Sequence, residues 1–273
     1  MIDKTNSKLK SPISYLGGKS RLAEKIVQRF PKHHCYVEPF CGAAWVFFAK
    51  KPSAVEVLND ADGQLVNFWR VVKFHLPELF RYLRFTLVSR AGFRADVETT
   101  PERLTDVQRA ARYFRLQKMG YGGRTVGRTF GTSKQRPSAF ATGNKEERLE
   151  ACHRRLAQTT IEHLDAIECI EKYDSPETLF YLDPPYWKAD FYAVSFAGEH
   201  FVRLRDALRV VQGKFILSLN DTPAVRELFQ EFTIEPISTR YSIGNAKVTA
   251  RTRSEKRPEL LVHNLDDAEP VRG

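Results

Sequence analysis

TLFYLDPPYW, residues 178–187, decides how this chain is read. Thr178–Leu182 is a short apolar run and reads as a β-strand. It runs straight into a carboxylate, Asp183, and then into Pro184 and Pro185. The two prolines have fixed φ and no N–H, so the segment turns and cannot slide back into the sheet. Tyr186 sets a ring beside them. In an open α/β sheet, ligands bind beyond the carboxyl ends of the strands, where this acid would stand.

The surrounding chain supplies the rest of such a sheet. SYLGGKSRLAEKIVQRF (14–30) reads as a glycine-turned loop and then a helix, with Leu22, Ile26, Val27 and Phe30 at helical spacing. CYVEPF (35–40) reads as a strand, CGAAWVFFAKK (41–51) as a turn running into a helix, AVEVLND (54–60) as a second strand, and GQLVNFWRVVKF (63–74) as a helix. Further on, EERLEACHRRLAQ (146–158) is read as a helix and TTIEHL (159–164) as a short strand. A helix at FVRLRDALRVVQ (201–212) follows the opening stretch, then a buried strand at KFILSLN (214–220) and a helix at PAVRELFQ (223–230). FTIEPIS (232–238) and ELLVHN (259–264) are the last strands, separated by a polar loop, GNAKVTARTRSEKRP (244–258). Strand and helix alternate, which predicts a doubly wound, Rossmann-like α/β sheet with helices on both faces.

Residues 74–145 break the alternation. They carry 14 Lys and Arg against 5 Asp and Glu, whereas the rest of the chain carries 29 against 28. Nearly all of the net charge of +10 therefore lies in this one segment. One helix is evident there, at TPERLTDVQRAARYFRLQKM (100–119), with Pro101 in its first turn after Thr100. It is followed by the glycine-rich GYGGRTVGRTFGTSKQRP (120–137), read as a hairpin or loop. A localised basic segment is the footprint of a polyanion-binding insert. The domain expectation is a catalytic domain made of residues 1–73 and 146–273, interrupted by a mostly helical recognition insert at 74–145.

At 273 residues, the chain suits one α/β domain with an insert. No apolar run approaches the ~20 residues of a membrane span. The N-terminal MIDKTNSKLK lacks the apolar core of a secretory signal, so the expected location is the cytoplasm. Cys35, Cys41, Cys152 and Cys169 form no C-x-x-C pair, and His33-His34-Cys35 has no second ligand pair at zinc spacing. Neither a disulfide framework nor a metal site is expected.

Three strand ends carry the chemistry: EPFCGAAW, NDAD and DPPY. In the first, Gly42 lets a ligand approach the backbone, and the helix that follows offers N–H groups. In the second, Asp60 ends the second strand about 20 residues beyond that turn, where an acid commonly takes ribose hydroxyls. The full G-x-G-x-x-G of a dinucleotide site is missing, which favours a different adenosine-bearing ligand. In the third, Asp183 and a proline carbonyl can accept both N–H protons of an exocyclic amine while the Tyr186 ring stacks on the base that bears it. Such acceptance leaves the nitrogen lone pair aimed for attack. A given tetrapeptide arises by chance at about one in 10⁵ positions.

These residues carry a resemblance. The chain is similar to Dam-like DNA adenine-N6 methyltransferases over nearly its whole length outside the middle segment. SYLGGK (14–19), VEPFCGAAWVFF (37–48), LNDADGQLVNFWRVV (58–72), YLDPPYW (181–187) and FILSLND (215–221) resemble that family's motifs, in the family's order. The resemblance implies S-adenosyl-L-methionine as cofactor and a methyltransferase version of the Rossmann-like sheet. It implies cofactor roles for Tyr15, Lys19, Glu38, Pro39, Phe40, Gly42, Asp60 and Asp183, and a catalytic role for Asp183, Pro184, Pro185 and Tyr186. It also implies an adenine extruded from duplex DNA, with no metal and no covalent intermediate. Ala44 departs from the family, which often has a glycine there. The middle segment only loosely resembles the family's recognition hairpin; Arg124, Arg128, Lys134 and Arg136 are its candidate DNA contacts. A monomer is the simplest assembly. Competing readings are a methyltransferase of the same fold acting on RNA or cytosine, and a non-catalytic DNA-binding relative. Asp183 favours adenine over cytosine, and the intact Lys19, Gly42, Asp60 and DPPY favour an enzyme.

Overall fold

The computed structural model describes residues 9–15, 17–122, 125–132, 134–135, 138, 140–141, 144–186, 198–237 and 259–265. The first half of the sheet is built from β1 (Cys35–Glu38) and β2 (Val55–Asn59), with α1 (Ala23–Val27), α2 (Trp45–Ala49) and α3 (Gly63–Phe74) beside them. The helices α4 (Leu76–Arg84), α5 (Arg90–Glu98), α6 (Asp106–Met119) and α7 (Lys145–Leu156) follow. The second half comprises β3 (Thr160–Glu162), α8 (Ala166–Tyr173), β4 (Thr178–Leu182), α9 (Gly198–Val210), β5 (Lys214–Asn220), α10 (Pro223–Leu228), β6 (Thr233–Ile237) and β7 (Glu259–His263).

The seven strands lie in the order β3-β2-β1-β4-β5-β7-β6. All neighbours are parallel except β7, which is antiparallel to both β5 and β6. Pro236 is tolerated because β6 is, among the described residues, an edge strand with no partner on its outer side. The order reverses between β1 and β4, which lie side by side with Val37 paired to Phe180. That reversal is a topological switch point, so the ends of β1 and β4 open onto one crevice.

The side chains of the central strands divide cleanly between the two faces. Tyr36, Leu179, Tyr181, Ile216 and Leu261 join one core, with residues of α1 to α7. Val37, Phe180, Leu182, Phe215, Leu217, Leu219 and Leu260 join the other, with residues of α8 to α10. Every residue of β4 is buried, as a strand covered on both faces requires. Phe180 is fully buried, and its truncation to alanine would cost about 3–5 kcal/mol.

Several details differ from the sequence expectation. The segment 100–119 is not one helix: Pro101–Arg103 form a single 3₁₀ turn, and α6 starts afresh at Asp106. Thr105 and Gln108 cap it reciprocally, a stronger start than Thr100 offers. The first helix is only Ala23–Val27, because its N-terminal turn is spent on the glycine loop. Helices α4, α5 and α8 were not anticipated. The buried face of α6 (Ala110, Ala111, Phe114) belongs to the same core as the sheet, so the basic segment packs onto the sheet domain through α6. Part of the glycine-rich segment is a short hairpin, in which Tyr121 N–H donates to the Thr129 carbonyl (2.8 Å) and Gly131 N–H to that of Met119 (2.7 Å).

Candidate active site

The crevice at the switch point is a cavity lined by the three strand ends that the sequence singled out. Tyr15, Lys19, Glu38, Phe40, Gly42, Asp60, Asp183 and Pro185 all line it. Pro39, Pro184 and Tyr186 do not line this cavity. Pro39 is buried behind it, its carbonyl accepting from Asn59 Nδ2 at 2.9 Å. Asn59 also accepts from Leu164 N–H (2.8 Å) and donates to the Leu164 carbonyl (3.1 Å). One buried amide thus fixes the ends of β1, β2 and β3 relative to one another.

One end of the cavity is centred on the Asp60 carboxylate. Asp60 Oδ2 accepts from Gly42 N–H and Oδ1 from Asp62 N–H, each at 2.9 Å. A carboxylate has about four lone-pair sites, so acceptor capacity remains for two hydroxyls. Burial pushes the Asp60 carboxyl up to about 6, against the opposing pull of those two N–H groups. Gly42 has φ +47°, and a Cβ there would stand 3.2 Å from the Tyr15 ring. The turn is held by Trp69 Nε1 donating to the Gly42 carbonyl (3.0 Å) and by Cys41 N–H donating to that of Asn59 (2.8 Å). A Cβ on Gly18 would meet Trp45 Nε1 at 2.9 Å, so the glycine loop and α2 close on each other without side-chain space. At the end of β1, Glu38 accepts from Tyr36 OH at 2.7 Å, and burial pushes its carboxyl up to about 8.

The other end is a charged cluster. Lys19 Nζ donates to Asp183 Oδ1 (2.6 Å), Tyr186 OH (3.0 Å) and the Gly17 carbonyl (3.1 Å), which uses all three of its protons. Burial, the largest influence, would lower the Lys19 pKa; Asp183, Tyr186, Tyr181 and Glu259 together more than offset it and hold it well above the usual range. Ser218 OH donates to the same Asp183 oxygen at 2.9 Å and is itself bonded to Tyr181 OH at 3.1 Å. Asp183 Oδ1 is therefore fixed by two donors, and Oδ2 makes no hydrogen bond among the described residues.

The proposed DNA contacts divide differently. Arg124 and Arg136 lie outside the described residues. Lys134 is exposed. Arg128 is half-buried with its guanidinium 5.7 Å from the centre of the Tyr113 ring. Arg128 also lines a cleft with Arg90, Arg94, Phe93 and Phe130, in which Arg90 stands 5.0 Å over the Phe130 ring.

Sequence reasoning did not single out Ser218, Glu259, Asp165, Ala166 or His200. Ser218 and Glu259 join the Asp183 cluster; the other three line the cavity. Ser218 did carry a signal, as a lone hydroxyl inside the apolar run KFILSLN. Among the described residues no group of His, Cys, Asp and Glu is placed to hold a metal ion, and no helix is long and apolar enough to cross a membrane.

A parallel sheet with one antiparallel strand next to its far edge, and a switch-point cavity running from Asp60 to Asp183, fit a methyltransferase-class α/β domain. The model of the D12 class N6 adenine-specific DNA methyltransferases matches residues 15–243, and the chain belongs to that family. It is an adenine-specific DNA methyltransferase. Among its relatives are the type II methyltransferase M1.LlaDCHI of Lactococcus lactis subsp. cremoris, 24% identical over 97% of this chain and 98% of the relative. The type II methyltransferase M.CviBI of Paramecium bursaria Chlorella virus NC1A is 23% identical over 85% of this chain and 91% of its own. The DNA adenine methylase of Escherichia coli K12 is 24% identical over 85% of this chain and 88% of its own.

Proposed function

We propose that the switch-point cavity seats S-adenosyl-L-methionine and that Asp183, Pro184, Pro185 and Tyr186 receive an adenine extruded from duplex DNA. When bound, the cofactor supplies an electrophilic methyl group. Asp60 and the N–H groups beside Gly42 fit the adenosine end: two acceptor positions remain on the carboxylate, and Gly42 leaves room that a side chain would fill. Tyr15, Glu38, Pro39 and Phe40 complete that wall or support it.

The observation that carries the reading is the state of Asp183. Lys19 and Ser218 hold Oδ1, so Oδ2 is the oxygen left to accept an N6 proton. The carbonyl of Pro184 has no competing donor of its own and suits the second N6 proton. With both protons accepted, the nitrogen lone pair is freed from the ring and oriented, and positioning supplies much of the rate. Asp183 need not be a strong base, because the methylated amine loses its proton readily. The Tyr186 ring stacks on the extruded base, a contact worth ~1–3 kcal/mol.

Residues 74–145 act, in this reading, as the target-recognition insert, with Arg124, Arg128, Lys134 and Arg136 contacting DNA. Arg90 and Arg94, beside the hairpin, join them as phosphate contacts. The enzyme acts as a monomer. The test incubates purified protein with labelled S-adenosylmethionine and unmethylated duplex DNA, with Asp183→Ala as control. Wild type alone should yield N6-methyladenine; cofactor binding without DNA methylation would overturn the substrate reading.

A further inference from the structure

We infer that Glu259 is a positioning residue for the base-stacking ring, holding Tyr186 through its hydroxyl. The inference rests on the reading of Tyr186 as the surface that receives the extruded adenine.

The topology brings Glu259 to the site. β7 runs antiparallel to β5, so its first residue lies at the rim where the parallel strands end, paired with Asn220. Glu259 is nearly fully buried, at 4% exposure, and burial pushes its carboxyl up. A buried acid ahead of Leu260, Leu261 and Val262 is costly, and nothing in the strand's own pairing requires it.

Among the described residues the side chain makes one hydrogen bond: Tyr186 OH donates to Oε1 at 2.9 Å. Among the described residues Oε2 has no hydrogen-bond partner; it lies 4.0 Å from Lys19 Nζ. The three protons of Lys19 are already committed elsewhere, one of them to the Tyr186 oxygen. The phenol therefore accepts from Lys19 and donates to Glu259. With both roles filled, the hydroxyl direction and the ring are fixed from two sides. The same lysine holds Asp183, so the stacking ring and the amine acceptor are registered to one another before DNA arrives. Without Glu259, the ring is held from the lysine side alone.

A purely structural acid that balances the Lys19 charge makes a different prediction, because Glu259→Gln removes the charge but keeps the acceptor. The test measures kcat, KM for DNA and cofactor affinity on unmethylated genomic DNA for Glu259→Ala, Glu259→Gln, Tyr186→Phe and the Glu259→Ala/Tyr186→Phe double variant. Glu259→Ala and Tyr186→Phe should each lower kcat by about ten-fold or more, with cofactor affinity held within about three-fold. The double variant should be no worse than the poorer single, and Glu259→Gln should restore kcat to within about three-fold of wild type. Wild-type kcat in Glu259→Ala, a Glu259→Gln as impaired as Glu259→Ala, or losses that multiply in the double variant would each overturn the inference. If Glu259→Ala does not fold, Tyr186→Phe and Glu259→Gln carry the test, and wild-type kcat in the former or a ten-fold loss in the latter overturns it. A wild-type chain that methylates no adenine would instead overturn the site reading beneath it.

Discussion

Lys19 Nζ and Asp183 Oδ1 stand 2.6 Å apart although 164 positions separate them in the chain. Lys19 comes from the glycine loop before the first strand, and Asp183 from the end of β4. Their side chains are 3% and 19% exposed. Breaking a buried pair leaves one charge without compensation, which costs about 3–5 kcal/mol. Lys19→Met should therefore lose about 3 kcal/mol in urea unfolding, with Asp183→Asn added to it recovering much of that loss and none of the methylation. A single Lys19→Met as stable as wild type would show that the pair is solvated in solution.

Glu38 and Asp60 make the pH dependence opposite in sign to that of ordinary surface acids. Burial raises their carboxyls to about 8 and about 6, above their values in an unfolded chain. Between the unfolded and folded values the native state holds the extra protons, so stability falls as pH rises through that window. Acidifying from pH 8 toward 5 should add up to about 1.4 kcal/mol per pH unit for each carboxyl that titrates. Glu38→Gln should flatten the upper part of that curve in denaturant titrations at several pH values. Cofactor affinity should move the other way at Asp60. Ribose hydroxyls need the ionised acceptor, so the dissociation constant should rise about ten-fold per unit below pH 6. An affinity flat from pH 7.5 to 5 would remove Asp60 from that role.

The strand ends were legible because a parallel sheet buries its strands as apolar runs, and an acid or glycine at the end of such a run stands out. KFILSLN and GQLVNFWRVVKF match β5 and α3 residue for residue. Helix α8 was hidden because AIECIEKY is two turns long, with a buried face of only Ala166, Cys169 and Ile170. Helices α4 and α5 were hidden by Arg81, Arg84, Arg90 and Arg94, which mask the narrow stripe of Leu76, Leu79, Leu83 and Phe93 that packs inward. The cluster around Asp183 was only half legible. Its donors Ser218 and Lys19 and its neighbour Glu259 come from three elements, and no local pattern says that an antiparallel strand returns its first residue to the same rim.

Ala44 is the departure from the family pattern that the backbone explains. It has φ 53°, in the left-handed region that favours glycine, and is fully buried. That conformation costs a non-glycine residue roughly 1–2 kcal/mol. Ala44→Gly should therefore stay within about 1 kcal/mol of wild type, since relief of strain offsets the lost methyl and the looser unfolded chain. Gly42→Ala should do harm twice. It strains φ +47° and drives a Cβ to 3.2 Å from the Tyr15 ring in the wall proposed for the cofactor. Calorimetric titration with S-adenosylmethionine should show affinity falling about ten-fold or more in Gly42→Ala. Unchanged binding there would mean that the Tyr15 ring is not part of the cofactor wall.

The basic segment should give DNA binding a steep and divisible salt dependence. Each phosphate contact contributes about −0.9 to the slope of log K against log salt. Lys134 is exposed, so Lys134→Ala should reduce the slope by about one contact. Arg90 and Arg94 face the hairpin across a cleft, with Arg90 5.0 Å over the Phe130 ring. Removing both should reduce the slope by up to about two contacts. Arg128 is half-buried over Tyr113 and feels the charges of Tyr113 and of Asp62 and Tyr15, which line the cavity. Its truncation should therefore weaken cofactor-dependent DNA binding with less change in slope than Lys134→Ala. Fluorescence anisotropy on a duplex between about 50 and 200 mM salt separates these outcomes. A wild-type affinity that is flat across that range would take DNA contact away from the segment altogether, whatever the individual variants do.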